Sequence, residues 1–165
     1  MNRAGPDDFF NVRRGIQNHY ESLGFTELLS LLRMSHHDPR ILHDCLPALA
    51  AAASSLSPAQ RRMLVESIAR TWENHYPIGE DRDLAFEIAC LLHDVEAFPE
   101  ALSYLRASAA LHGDHPATRW NMGLCLARLG DVDGAASCFA RAMTLHPGFV
   151  PAGALQSKAW SLSSP

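Results

Sequence analysis

The chain has 165 residues, 47% hydrophobic and 19% charged, enough for one domain with a core or a short repeat array. Its formal net charge is −4 and its fourteen Lys and Arg residues are scattered, which argues against a nucleic-acid binder with a basic stripe. No stretch approaches the roughly 20 apolar residues of a membrane helix, and the acidic, run-free N-terminus does not read as a secretory signal.

Helix signals are frequent and strand alternation is nearly absent. In chain order, the patterning predicts helices over 7–22, 26–36, 39–54, 58–75, 82–94, 99–111, 117–129, 132–145 and 151–162. Asp38-Pro39 reads as an N-cap followed by Pro in the first helical position. Ser57 and Gln60 form the two halves of a capping box. Pro47 lies inside the third helix and is expected to kink or split it. Pro99, Pro116 and Pro151 fit helix starts, and Gly24, Gly113, Gly130 and Gly148 fit helix ends. The connections are short, which favours antiparallel neighbours. Pro77 to Asp81 (PIGED) is the exception and reads as a boundary between residues 1–76 and the rest.

Beyond that boundary the sequence repeats itself at a spacing of 34. Sliding Leu84–His115 onto Thr118–Phe149 superposes Leu92 on Leu126, Ala101 on Ala135, Ser103 on Ser137, Leu111 on Leu145 and His112 on His146. Residue classes match as well: Phe86 with Trp120, Ala89 with Gly123, Phe98 with Val132, Leu105 with Phe139, and Ser108 with Ala142.

The stretch Trp120–Pro147 (WNMGLCLARLGDVDGAASCFARAMTLHP) closely resembles a tetratricopeptide (TPR) repeat. Gly123 stands as the small residue of the first helix, Gly130-Asp131 as the turn, and Pro147 as the closing residue. Ala135, Phe139 and Ala142 form the small-large-small set of the second helix, a pattern that lets two helices approach closely. Leu84–His115 is a looser copy, with Glu96-Ala97 in place of Gly-Asp and Gly113 in place of the closing Pro. Val150–Leu162 resembles the first helix of a third unit, with Ser157 at its small position and Trp160 as its aromatic. The resemblance implies an all-α fold: an α-solenoid of antiparallel helix pairs. It would comprise TPR units over 82–115 and 116–149, a capping helix over 150–162, and a less regular N-terminal helical region over 1–76. Within that region, 39–54 and 58–75 read as a helical hairpin that continues the stack, a candidate degenerate repeat. Phe9, Phe10, Val12, Arg13 and Ile16 suggest an apolar edge on the first helix that docks on the protein itself or on a second copy.

The resemblance implies that the first helix of each unit lines a concave groove that binds another protein or a peptide. The groove positions are then Phe86, Glu87, Cys90, His93 and Asp94 in the first unit. The second unit contributes Trp120, Asn121, Leu124, Ala127 and Arg128, and the capping helix Leu155 and Lys158. Repeats that clamp acidic chaperone tails carry Lys and Asn where Phe86 and Cys90 stand, so an apolar segment is the expected ligand. Large aromatics at Phe86 and Trp120 are open to either a groove or a core role. In size, acidity and repeat content the chain is similar to the small chaperones of bacterial type III secretion translocators, although its N-terminus has no match to them.

Other chemistry is poorly supported. His36, His37, His43 and Cys45 are close in sequence, but adjacent residues point apart and a metal site needs three or four convergent ligands. His112, His115 and His146 recur beside helix ends, where imidazole suits exposed carbonyls. Nucleophile, phosphate-loop and HExxH motifs are absent from the sequence. Cys45, Cys90, Cys125 and Cys138 form no CxxC pair and read as free thiols in a reducing compartment, hence the cytoplasm. The expected function is therefore a non-enzymatic adaptor or small chaperone without cofactor or metal, with homodimerisation through unstacked ends compatible with it. The alternative is an accessory subunit docking on an enzyme through its N-terminal helices.

Overall fold

The computed structural model describes residues 23–34, 39–75 and 83–151. Among these, every regular element is helical. The expected helices over 7–22 and 151–162 and the joint Pro77–Asp81 lie outside the described residues.

Helix α1 (Phe25–Met34) turns Leu28, Leu29 and Leu32 into the core. Gly24 lies just before it, and its carbonyl accepts from the Leu28 amide at 3.0 Å. Helix α2 (Pro39–Ala52) runs unbroken through Pro47 and ends in a 3-10 turn, Ala53–Ser55. Pro47 neither splits α2 nor ends it. It lies on the exposed side, where water can serve the carbonyl that loses its amide partner. Helix α3 (Pro58–His75) starts on the expected capping box: the Ser57 amide donates to Gln60 Oε1 (2.9 Å) and the Gln60 amide to Ser57 Oγ (3.3 Å).

Four more helices follow: α4 (Leu84–Asp94), α5 (Phe98–His112), α6 (Pro116–Arg128) and α7 (Val132–Leu145). Their connections are three residues long, and α4 packs on α5, α5 on α6, and α6 on α7. In the first part α2 packs on α1 and α4, while α3 packs on α1. Among the described residues the backbones of α2 and α3 approach each other less closely than these pairs, while Leu49 of α2 and Leu64 of α3 share one core cluster. One buried apolar cluster runs from Leu28 of α1 through Leu49, Leu64, Ile88 and Leu105 to Cys125 and Cys138.

Polar side chains join the elements around that cluster. Thr71 Oγ1, fully buried on α3, donates to the carbonyls of Ser67 (2.9 Å) and Leu32 (3.3 Å). Trp72 meets Tyr104 of α5 edge to face at 5.3 Å. Arg61 pairs with Glu96 at 2.6 Å, joining the start of α3 to the α4–α5 turn.

The 34-residue spacing is repeated in the backbone. After α4 the amides of Glu96 and Ala97 donate to the carbonyls of His93 (3.0 Å) and Leu92 (2.8 Å). After α6 the amides of Gly130 and Asp131 donate to those of Ala127 (3.1 Å) and Leu126 (2.9 Å). Both are Schellman turns. Each has one residue at positive φ: Glu96 at 64° and Gly130 at 85°. The next helix then opens the same way, with Ala101 bonded to Ala97 (2.9 Å) and Ala135 to Asp131 (3.0 Å).

Candidate protein-binding face

The expected groove positions fall on one stripe of α4 and on its 34-residue counterpart on α6. Asp83 sets the start of α4: its carboxylate accepts from the Phe86 amide at 2.9 Å and from the Ser108 hydroxyl of α5. His112, the last residue of α5, brings Nε2 within 3.8 Å of the same carboxylate. His115 works differently from the helix-end role expected of it, because its Nδ1 accepts from the Ala117 amide and caps the start of α6.

On α4, Phe86 is half-buried and packs against the core cluster, so its ring is shared between core and surface. Glu87, Cys90 and His93 are half-buried and Asp94 is exposed. Burial pushes the Cys90 thiol up to about 11, with Asp94 and then the Cys125 thiol adding to the shift. Such a thiol is protonated at neutral pH and has little nucleophilic or metal-binding character. Cys45 and Cys125 are raised to about 11 as well, burial again being the first cause.

On α6, Trp120, Asn121 and Leu124 are half-buried and Arg128 is exposed. Trp120 lies against Phe139 of α7 at 4.6 Å and Phe149 at 6.1 Å. It is therefore a half-buried packing residue, and neither it nor Leu124 belongs to the core cluster. Leu155 and Lys158 lie outside the described residues.

The two helices meet through a residue that sequence reasoning placed only in the repeat pattern. Phe98 stacks edge-on against His93 at 5.3 Å, and the Arg128 guanidinium sits over the same ring at 5.8 Å. Phe98 thus brings the C-terminal ends of α4 and α6 together. Phe149 is a second such residue. Its sequence signal was its place just after the closing Pro147, which alone does not reveal a partner.

The described residues contain no group of three or more His, Cys, Asp or Glu side chains placed to hold a metal ion. His36 and His37 lie outside them. No described helix is long and apolar enough to cross a membrane. No protein-family model, curated protein sequence or solved structure matches the chain.

Proposed function

We propose that residues 84–149 are two stacked TPR-type units, built as antiparallel helix pairs of a short α-solenoid. The protein would act as a non-enzymatic adaptor or small chaperone in the cytoplasm. Its ligand is an apolar segment of another protein, held along the stripe of α4 and α6 and bounded by Glu87 and Asp94 on one helix and Arg128 on the other. The observation that carries this reading is the recurrence of one turn, in hydrogen bonds and in positive φ, at a spacing of 34 residues. A two-helix unit that repeats in register stacks on its own copy and leaves the first helices side by side as a binding face. A half-apolar face edged with charge suits a helix or extended segment with hydrophobic anchors.

Photo-crosslinking in the native host tests it, with a benzoylphenylalanine at position 124. Leu124 is the better probe because Trp120 is engaged with Phe139 and Phe149. One discrete adduct that disappears with Asn121→Ala plus Arg128→Ala, in a protein of unchanged circular dichroism, supports the groove. An adduct unaffected by that pair of changes, or none, rejects it.

The second reading, docking through the N-terminal helices, has one observation behind it. An open apolar depression of about 340 Å³ lies on α1, lined by Leu23, Thr26, Glu27, Ser30, Leu31 and Met34. A crosslink from position 34 and none from position 124 favours that reading.

A further inference from the structure

The groove proposed above holds one arginine without an anion. Helix α4 carries no Lys or Arg, and α6 carries Arg119 and Arg128. Arg119 is bound by Asp114. Arg128 is exposed, and among the described residues its partner is a ring and not a carboxylate: the guanidinium carbon lies 5.8 Å from the centre of Phe98. Phe98 is itself fixed, half-buried against the core cluster with His93 edge-on at 5.3 Å. A guanidinium over an aromatic ring has lost part of its rotamer freedom before a ligand arrives, and its N–H groups remain free to meet a carboxylate.

The register sharpens the contrast between the two walls. Thirty-four residues before Arg128 stands Asp94, and 34 before Asn121 stands Glu87. The α4 wall is therefore acidic and the α6 wall ends in a cation. Asp94 lies 3.9 Å from His93 Nδ1 and does not pair with Arg128. Leu124, half-buried, precedes Arg128 by four residues on the same side of α6. We propose that the segment bound in the groove carries a single side-chain carboxylate docked on Arg128, about 6 Å along the groove from an apolar residue seated on Leu124. This names the ligand's chemistry and rests on the groove reading. An extended segment meets both places with residues two apart, at about 3.3 Å per residue. A helical one meets them with residues four apart. Glu87 and Asp94 repel further acids, so an acidic run is disfavoured. Phe98 is a positioning residue for the guanidinium.

Selection from a random peptide library tests the proposal, with each peptide displayed between two carrier domains so that none offers a terminal carboxylate. The full chain should enrich peptides with Asp or Glu at a fixed distance from an apolar residue. Replacing that acid by its amide should weaken binding roughly threefold to tenfold near 0.1 M salt, and much less at about 1 M. Arg128→Gln should abolish the preference for acid over amide while the apolar preference stays. Arg128→Glu should enrich Lys or Arg at the same place. Both changes fall on an exposed side chain. Phe98→Leu should reduce the acid-over-amide ratio at unchanged circular dichroism. Apolar peptides enriched without an acid, or an acid preference that survives Arg128→Gln, overturn the proposal and leave the groove standing. No enrichment, or peptides whose binding ignores Leu124→Ser, overturns the groove reading and the proposal together.

Discussion

A methyl group added to Gly123 would lie 2.6 Å from Cε1 and 2.7 Å from Cδ1 of Phe139, inside the van der Waals contact of the ring. Helix α6 can approach α7 this closely only because position 123 has no side chain, and the Phe139 ring also lies against Trp120 of α6 at 4.6 Å. In an open helix, Gly→Ala stabilises by roughly 0.5–1 kcal/mol. Here the overpacking cost, roughly 1–3 kcal/mol, opposes and exceeds it. Gly123→Ala should therefore destabilise the protein by about 1–2 kcal/mol in urea titration. Adding Phe139→Leu should recover part of the loss, and a stabilised Gly123→Ala protein would show that the ring yields freely.

The paired turns make opposite predictions for one kind of change. Gly130 (φ 85°) and Glu96 (φ 64°) occupy the same place in the two units. A side chain there costs on the order of 1 kcal/mol. Gly130→Ala should destabilise by about that amount. Glu96→Gly should relieve it, less the Arg61 ion pair, whose carboxylate is two-thirds exposed and contributes roughly 0–1 kcal/mol. The expected net is a gain of up to about 1 kcal/mol at 0.15 M salt, and a larger gain at 1 M, where the pair is screened. Thermal denaturation at both salt concentrations checks the difference.

These relationships show what was legible in the sequence and why. The capping box at Ser57 and Gln60 and the helix spans from α3 to α7 depend on residues within a turn or two of each other, and the 34-residue register on matching one stretch of the chain with another. They can be read from spacing alone. What escaped depends on partners distant in sequence. Nothing in residues 39–75 announces that α2 comes closer to α1 and α4 than to α3, since all three present apolar stripes of the same kind. Pro47 could be judged only once its side of α2 was known to be exposed. The meeting of His93, Phe98 and Arg128 is set by how α4, α5 and α6 pack, whereas the groove positions were carried over from one helix at a time.

The thiols give a prediction of silence. Cys45, Cys90 and Cys125 are raised from 9.0 to about 11. At pH 7.5 the thiolate fraction falls by about a hundredfold relative to an unperturbed thiol, and so does the rate with an aromatic disulfide reagent. Burial slows access further for Cys45 and Cys125. Folded protein should release these three equivalents only after denaturant is added. The neutral form is the one favoured by folding, so the stabilising effect is complete below pH 9 and declines as the pH climbs towards 11. Rapid labelling of Cys90 in the native state would contradict the buried setting of α4.

Asp114 supplies the complementary acid-side prediction. In the α5–α6 connection its two carboxylate oxygens bind separate guanidinium groups, Arg119 of α6 and Arg141 of α7, the latter at 2.8 Å. The hydrogen bond from Arg119, followed by that from Arg141, holds the carboxyl below its ordinary value of 3.8. Because the folded value is depressed, the stabilisation is fully present above pH 3.8 and is lost as the pH falls through the folded value. Asp114→Asn should cost no more than about 1 kcal/mol at neutral pH, since the site is partly open to solvent and is screened by salt. Its distinctive effect is on shape: the fall in stability below pH 4 should be shallower in the variant, and the two curves should converge at low pH. Arg141→Ala should reproduce part of that change and Arg119→Ala more of it, following the order of the two hydrogen bonds. Equal effects, or parallel curves at all pH values, would mean that Asp114 does not couple α6 and α7 through its charge.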